Sequence, residues 1–564
     1  MTEFRRRLPL LILAGLAAGF LALGLAEARS DSPTFDEPVY VSAGLAAILH
    51  HDVTYNDEHP PLPKVLAALP VLLVHPAVPA NGPWAGNDEH TYAAKFMDAQ
   101  LAAGDVRSVT FASRLVPLAE TVGTAFVLFA LALELFGAAA GRAGALAGLL
   151  AGALWLTSPF VLGIGHLDGV DVPFALATAL SSWALVRWLR RRTVRGLVWL
   201  GLAFAAVAGS QISGLLVVAL GLAVVLVADG RRRWPVQVGA GLARAVGQAV
   251  LAGLICVAGL WLGYLVVDPA AIAHARLGLP YPFLDGASYL RTQDTMGTAG
   301  YVAGVAYQGG RWWFWPLSLV IKWPLVSLVL LAAGLLACGW LPRPVRRPAV
   351  WAVGLPAAAL AAFDLVMPRD VGLRYTLPSL ALAAVLAGGL VPVAARWARA
   401  RPRAWPVTRI GIAVLVALSA VATIISFPQS LSWTTLPFRP GYTAVTDSNI
   451  DWGQGLYTLS AWSLTRHPYV LYFGPRGVTA ASIPGARALP ADPAQHVTGW
   501  VAVSVTAVNS TNRAQLSWLR PWCPVQVLAG SILVYRFRVS PGWPAGSVPS
   551  SVPRLCAGMW SVAG

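Results

Sequence analysis

The chain has 564 residues, of which 57% are hydrophobic and only 12% charged, and its mean hydropathy is +0.63. A soluble protein of this length needs more polar surface, so the composition excludes that class and indicates a polytopic membrane protein. The net charge of +16 comes from 41 Lys and Arg against 25 Asp and Glu. Because the basic residues fall in short clusters between apolar stretches, they match the asymmetry of cytoplasmic loops, and no nucleic-acid partner is expected.

The first apolar segment has the general pattern of a signal peptide, since it follows Arg5, Arg6 and Arg7 and precedes small residues. Residues 8–26 are nevertheless about as long as a spanning helix requires, and many apolar segments follow. We therefore expect an uncleaved first span.

About eleven spans are predicted in chain order. They are residues 8–26, 114–136, 143–163, 171–189, 196–208, 211–228, 246–266, 315–340, 349–366, 376–395 and 408–426. The stretch 196–228 is short for two spans of ~17–25 residues. We expect a hairpin of short helices there, which turns at Gly209-Ser210-Gln211.

The connections alternate in charge along the chain. Placing the N-terminus in the cytoplasm puts every basic cluster inside: Arg142, Arg190 to Arg192, Arg231 to Arg233, Arg343 to Arg347 and Arg396 to Arg403. The acidic connections then lie outside, together with the C-terminus. The expected location is the cell membrane of a bacterium with a GC-rich genome, because the content of Ala, Gly, Arg and Trp is high.

The composition changes after residue 426, which divides the chain. We predict a membrane domain over 1–426 with a first extracytoplasmic loop over 27–113, an extracytoplasmic domain over 427–540, and a flexible tail over 541–564. Alternating apolar residues, Val501, Val503 and Val505 and then Leu533, Tyr535, Phe537 and Val539, indicate that the second domain is small and mixed or β-rich. Cys523 and Cys556 lie outside, where a disulfide is permitted, but two free thiols are a nearly equal alternative.

The acidic pair Asp36-Glu37 opens the first loop's candidate site. A carboxylate at a membrane face can act as a general base on an acceptor hydroxyl or bind a divalent cation. Capping of the helix that begins near Pro38 is the alternative, and both roles can hold together.

Glu58 and His59 precede two prolines, which fix the backbone and hold the acid and the imidazole in a set direction. His59 could orient a substrate or ligate a metal; a loop histidine bonded to its own backbone is the alternative.

His166 and Asp171 follow the third span on the same face, where a second acid and histidine suit a shared site. For Asp171, helix capping is an equal alternative.

Arg374 and Tyr375 lie in a third outer cluster, MPRDVGLRY. Arginine offers planar bidentate donors that suit a phosphate, and snorkelling is the alternative. Lys322 is a further phosphate candidate with the same alternative.

The sequence holds no GxxxxGK[ST], HExxH or GxSxG pattern, so a nucleotide-driven pump, a zinc protease and a serine hydrolase have no support.

Taken together, Asp36-Glu37, Glu58-His59-Pro60-Pro61-Leu62, His166 with Asp171, and Gly372-Leu373-Arg374-Tyr375 resemble the pattern of the C-type glycosyltransferases. More narrowly, they resemble the branch of protein O-mannosyltransferases and lipid A aminoarabinose transferases, which are phospholipid carrier-dependent. The segment DSNIDWGQ at 447–454 is similar to one found in bacterial members. The resemblance covers about residues 1–460.

This resemblance implies an inverting transferase that takes a sugar from a polyprenyl-phosphate carrier on the extracytoplasmic side. Asp36 would be the catalytic carboxylate, assisted by Glu37; Glu58 and His59 would shape the site, and Arg374 would bind the carrier phosphate. Mannose is the sugar considered first, and the acceptor could be a protein, a glycolipid or a polysaccharide. No cofactor is certain, and a divalent cation stays open. A lipid-linked-sugar transporter or flippase and a non-catalytic envelope-binding protein are the alternatives; acids in outer loops and the absence of a clear repeat argue against the transporter.

Overall fold

The computed structural model describes residues 2–79, 89–140, 142–230, 238–400 and 404–538. The predicted tail, 541–564, and Cys556 lie outside these residues, so the disulfide between Cys523 and Cys556 stays a prediction.

The region before residue 427 is helical. Its helices are α1 (Thr2–Ser30), α2 (Glu37–His50), α3 (Pro61–Ala68), α4 (Glu89–Ala103), α5 (Val106–Ser113), α6 (Leu115–Ala140), α7 (Arg142–Leu156), α8 (Pro159–Gly165), α9 (Asp171–Arg191), α10 (Val194–Ala208), α11 (Gly214–Gly230), α12 (Val238–Val267), α13 (Tyr281–Met296), α14 (Phe314–Lys322), α15 (Leu325–Ala337), α16 (Arg343–Ala349), α17 (Leu355–Val366), α18 (Leu377–Ala387), α19 (Leu390–Ala400) and α20 (Ala404–Ser426). A short hairpin of β1 (Ala299–Val302) and β2 (Val305–Gln308) follows α13.

Seven helical stretches of the described residues are long and apolar enough to cross a membrane. They are Arg7–Ser30, Val106–Gly137, Asp171–Arg191, Gly241–Val267, Arg343–Val366, Leu373–Arg399 and Trp405–Ser426. The other four predicted segments are also helical, but they are bent, short or broken. The chain is therefore a polytopic α-helical membrane protein, as the composition predicts.

Local chemistry explains the interrupted spans. The segment 143–163 bends by 65° between α7 and α8, where Ser158 caps the N-terminus of α8 by accepting a hydrogen bond from the Val161 N–H. The segment 315–340 breaks at Trp323, which is extended because the ring of Pro324 disfavours a helical conformation for the residue before it. The hairpin predicted over 196–228 is confirmed by α10 and α11.

Small residues bring the central spans together. Gly144, Gly148 and Gly152 recur every fourth residue along α7. A Cβ at Gly144 would lie 2.4 Å from the Cα of Gly137, and one at Gly148 would lie 2.8 Å from the carbonyl oxygen of Phe129, both in α6. Spacing of this kind lets helix backbones approach closely in a membrane, where dispersion rather than water exclusion drives association.

The C-terminal region contains a mixed five-stranded sheet, as its alternating residues predict. Its elements are α21 (Leu456–Arg466), β3 (Tyr469–Leu471), β4 (Arg487–Ala488), α22 (Pro493–His496), β5 (Gly499–Ser504), β6 (Gln526–Leu528) and β7 (Ile532–Phe537). The strand order is β4-β3-β5-β7-β6. β3 runs parallel to β4 and β5, β7 runs antiparallel to β5 and β6, and Val501 is opposite Tyr535.

Both faces of this sheet are covered. Val501, Val503, Leu533 and Tyr535 lie in a core that also contains Phe314 and Trp315 of α14, so this face packs against the membrane domain. Residues of the opposite face pack beneath α21. The sheet is thus joined to the helical bundle at the end where the first loop also lies.

Candidate active site

The segment 28–37 is held by the buried guanidinium of Arg114, which lies where α5 meets α6. Arg114 Nε and Nη2 donate to the two carboxylate oxygens of Glu37, at 2.7 and 2.6 Å. Nη1 donates to the carbonyl oxygens of Ala28 and Asp31, and Nη2 also donates to that of Ser32, all at 2.8–2.9 Å. All five N–H donors of the side chain are therefore used. This arrangement fixes the backbone immediately before Asp36.

Glu37 belongs to this clamp and faces away from solvent. Besides Arg114, it accepts hydrogen bonds from the backbone N–H groups of Thr34 and Asp168, at 2.8 and 2.9 Å. Burial alone would raise its pKa, but the charge and hydrogen bonds of Arg114 outweigh that effect and hold the pKa below its usual range.

Asp36, one residue earlier, points the other way. It occupies the N-cap position of α2, but its side chain makes no capping hydrogen bond. Instead its carboxylate lies 3.1 Å from Nη2 of Arg374, whose Nη1 lies 3.4 Å from the carboxylate of Asp171 at the start of α9. The Arg374 guanidinium also stacks over the ring of Trp452 at 4.2 Å. The acid and the arginine predicted from separate motifs therefore meet directly.

Close packing sets the position of Arg374. Gly372, two residues earlier, has φ of +155°, and a Cβ there would lie 1.9 Å from the hydroxyl oxygen of Ser448. That hydroxyl donates to the carbonyl of Val371, and the Leu373 N–H donates to the side chain of Asn449. Only glycine fits this approach, which joins the Gly-x-Arg-Tyr motif to the segment 447–454.

The same segment also pairs with the first loop. The Phe35 N–H donates to the carbonyl of Trp452 at 2.8 Å, and the Ser32 N–H donates to that of Gln454 at 3.1 Å. Three distant parts of the sequence thus surround Asp36 and Arg374.

An open cavity of about 270 Å³ lies above this pair. Besides Asp36 and Arg374, it is lined by polar and aromatic side chains from the first loop, from α13, from the motif around Arg374 and from the C-terminal region. These are Phe35, Tyr40, Asn56, Glu58, His59, Glu89, His90, Tyr289, Gln293, Arg369, Tyr375, Asp447, Trp452 and Phe473.

Lys64 fixes the Glu58-His59 corner of the cavity. Its buried ammonium group donates to the carbonyl of His59 at 2.7 Å, and to both the carbonyl and the side-chain oxygen of Asn56. His59 Nε2 lies 3.2 Å from the Glu58 carboxylate. Burial would raise the pKa of Glu58, but His59 and the nearby cations lower it to about 2, so this carboxylate is ionised.

The pKa values of two other acids of the cavity are raised instead of lowered. Glu89, which accepts from the Asn56 side chain, has a pKa raised to about 8 by burial and by the charge of Glu58. Burial likewise raises the pKa of Asp447 to about 6, against the lowering effects of the Ser448 N–H and Arg374. At neutral pH the cavity therefore contains both ionised and protonated carboxyl groups.

Five of the predicted site residues line the cavity, namely Asp36, Glu58, His59, Arg374 and Tyr375, and Asp171 lies directly behind Arg374. Asp171 does not line the cavity itself, and the three remaining predicted residues do not line it either. Glu37 belongs to the Arg114 clamp. His166 is fully buried, with Nε2 3.1 Å from the Asp31 carboxylate and Nδ1 2.7 Å from the carbonyl oxygen of Leu162.

Lys322 is the third. Its buried ammonium group donates to the carbonyls of Leu431 and Trp433. It therefore anchors the start of the C-terminal region to α14, which the sequence alone did not indicate.

Sequence reasoning assigned no role to Asn56, Glu89, His90, Arg369, Asp447, Trp452 and Phe473, all of which line the cavity. Asp447 and Trp452 lie inside a segment noted for its resemblance, and Arg369 lies inside the third outer cluster, so these positions were the available signal. Glu89 and Phe473 carry no comparable signal. Among the described residues, no three His, Cys, Asp or Glu side chains are grouped to hold a metal ion.

No family model and no curated protein matches the chain. Among solved structures, it is similar to ArnT from Cupriavidus metallidurans bound to undecaprenyl phosphate, with 14% identity over 80% of this chain and 68% of the other and a TM-score of 0.44. The apo state of the same protein gives 13% identity, 92% and 97% coverage and a TM-score of 0.47. The chain is also similar to the archaeal oligosaccharyltransferase AglB from Archaeoglobus fulgidus, in complex with an inhibitory peptide and a dolichol-phosphate. The identity is 13% over 92% of this chain and 72% of the other, and the TM-score is 0.48. Because all these identities and TM-scores are low, the residues of the cavity carry the function proposed next.

Proposed function

We propose that this protein is a membrane glycosyltransferase that moves a sugar from a polyprenyl-phosphate carrier to an acceptor hydroxyl, with Asp36 as the catalytic base. One observation carries this proposal: a partly exposed carboxylate and a guanidinium lie 3.1 Å apart at the floor of a cavity, at the end of a bundle of membrane spans. An amphipathic donor, with its chain in the bilayer and its sugar phosphate at the surface, fits that location.

The charge on the leaving group decides the role of Arg374. In the transfer, the acceptor oxygen forms a bond to the anomeric carbon, while the bond from that carbon to the phosphate oxygen breaks. Negative charge then develops on the phosphate. Arg374 lines the cavity, and within the described residues each of its Nη atoms donates to one carboxylate oxygen only, so N–H donors are left for a phosphate oxygen.

Asp36 receives the acceptor proton in this mechanism. Its side chain is 18% exposed against 2% for Glu37, so of the two adjacent acids only Asp36 can reach an acceptor hydroxyl. When the donor phosphate takes over Arg374, the Asp36 carboxylate is released from its ion pair and becomes available as a base. A base and an attacking hydroxyl on the face opposite the leaving phosphate give inversion at the anomeric carbon.

The remaining residues would hold the two substrates. Asp171 orients Arg374 from behind, and Arg369 offers a second guanidinium to the phosphate from the cavity wall. Glu58, His59 and Tyr375 provide polar groups for the hydroxyls of a sugar. We propose mannose as the first sugar to test and a protein, glycolipid or polysaccharide as the acceptor, on the extracytoplasmic face of a bacterial cell membrane.

The test compares Asp36→Asn with the wild type in lipid nanodiscs. A panel of radiolabelled polyprenyl-phosphate sugars, beginning with mannose, is offered with a membrane extract as acceptor. We expect sugar transfer by the wild type and a loss of about 10²–10⁴-fold in Asp36→Asn, which is the usual contribution of a general base.

The matched control is Asp98→Asn, which neutralises an exposed acid of the same loop region outside the cavity. Equal transfer by Asp36→Asn and the control would remove Asp36 from catalysis. In sealed vesicles that contain the same protein, movement of intact carrier across the bilayer without transfer from any donor would favour the flippase alternative and contradict the proposal.

A further inference from the structure

A second large groove lies far from Asp36 in the sequence, among the helix ends that carry the arginine clusters. It has a volume of about 1040 Å³ and lies between the C-terminal ends of α9 and α11 and the start of α16 and α17. Its walls are mainly apolar and include Leu189, Val224, Val227, Trp351 and Leu355. Val227 and Trp351 are 43% and 42% exposed, so these walls face the surroundings of the protein.

Two guanidinium groups line the arginine-rich part of this groove. Arg192 ends α9 in a left-handed conformation, and its side chain stacks over Trp188 at 4.2 Å and donates to the carbonyls of Leu189 and Ala228. These contacts hold it between α9 and α11. Arg347, on α16, is exposed and forms no ion pair within the described residues.

The wall between α16 and α17 is irregular. Residues Val350–Gly354 form a π-helical turn that carries Trp351 into the groove. Such turns occur mostly as single insertions in α-helices and are frequent at functional sites. Pro344 and Pro348 of α16 line the same wall, so the groove's shape is set by stiff residues.

We propose that this groove binds one anionic phospholipid of the adjoining leaflet, with its phosphate at Arg347 and Arg192 and its acyl chains along the apolar walls. Charge complementarity selects this occupant. A polyprenyl chain or a detergent would satisfy the apolar walls but leave the exposed guanidinium of Arg347 facing hydrocarbon, and a zwitterionic lipid would offset its charge only in part. The site is separate from the glycosyltransferase proposal and does not depend on it.

The test uses the full-length protein, purified in neutral detergent and mixed with phosphatidylglycerol or phosphatidylcholine, and native mass spectrometry counts the lipids retained. We expect one tightly held phosphatidylglycerol on the wild type. Arg347→Gln should weaken its binding by about fivefold, the change that corresponds to about 1 kcal/mol for one arginine near anionic lipid.

Arg343→Gln is the matched control, because it removes the same charge from an exposed position of the same helix without lining the groove. Ala223→Phe is the second variant, which fills the groove with a ring and should abolish retention without altering charge. Equal weakening by Arg347→Gln and Arg343→Gln would show a diffuse attraction and overturn the proposal. So would equal retention of phosphatidylcholine, or full retention by Ala223→Phe.

Discussion

Two arginine centres lie close together at one end of the bundle, and they differ in what they leave unsatisfied. Around Arg114 every N–H donor is used, and neither Arg114 nor Glu37 is more than 2% exposed. Around Arg374, the paired Asp36 is 18% exposed and Nε has no partner within the described residues. The first centre is complete without a ligand, whereas the second retains capacity to bind one.

This difference separates two acids that are neighbours in the sequence. Asp36 precedes α2 and Glu37 begins it, so the turn of the helix sends their side chains to opposite sides. Buried polar groups that are fully paired stabilise one conformation, and groups left partly paired in a cavity are where a substrate finds its hydrogen bonds. Glu37 and Arg114 therefore hold the loop in place, and Asp36 and Arg374 are the pair that we propose to act on the substrate.

Replacing Arg114 should have the largest effect on folding. Arg114→Ala leaves the Glu37 carboxylate buried without its counter-ion and three backbone carbonyls without a donor. We expect a loss of about 3–5 kcal/mol in the free energy of unfolding, the usual cost of removing one partner of a buried ion pair. The measurement is thermal unfolding in detergent, in which the fraction of protein that stays monodisperse is recorded as the temperature rises.

The double variant Glu37→Leu with Arg114→Met provides the control for that prediction. Removing both charges should cost less than Arg114→Ala alone, since no unpaired ion is left in the interior. If Arg114→Ala unfolds like the wild type, the clamp does not hold the loop, and the contrast between the two centres is lost.

The class of fold could be predicted from the sequence, and Asp36 and Arg374, which the structure brings together, could be singled out as candidates, because both predictions depend on local features. Span-length apolar segments and charge alternation can be recognised from the order of apolar and charged residues along the chain. Asp36 and Arg374 lie in short motifs. What the sequence could not predict depends on contacts between distant segments. Nothing near Glu37 or Lys322 shows that an arginine 77 residues away neutralises the first, or that the second donates to carbonyls 109 and 111 residues later.

The cavity's acids add a pH dependence to the second centre. Glu89 is neutral below its folded-state pKa of about 8 and ionised above it. Ionisation places another negative charge beside Glu58 in a cavity that should bind a phosphate. The donor KM of the wild type should therefore rise above about pH 8, by about 15-fold for a charge ~10 Å away at an effective dielectric constant of ~20. Glu89→Gln should remove this rise.

Asp98→Asn tests that prediction from the same helix, α4, because Asp98 is an exposed acid that does not line the cavity. Its donor KM should follow the wild type across the pH range. A rise in KM that survives in Glu89→Gln would assign the titration to another group of the cavity, and Asp447 would be the next to replace.

The smallest effect concerns the ring beneath Arg374. Trp452 lies 4.2 Å from the guanidinium and is 2% exposed, and tryptophan gives the strongest cation–π attraction. Trp452→Phe keeps an aromatic face but weakens the attraction by about 1 kcal/mol or less, so the donor KM should rise up to about fivefold with kcat nearly unchanged. Trp462→Phe is the matched control, because Trp462 also lies beneath an arginine, Arg466, but outside the cavity. A fall in kcat at constant KM in Trp452→Phe would show that the ring acts on the sugar during transfer, and Arg374 would then not depend on it for holding the phosphate.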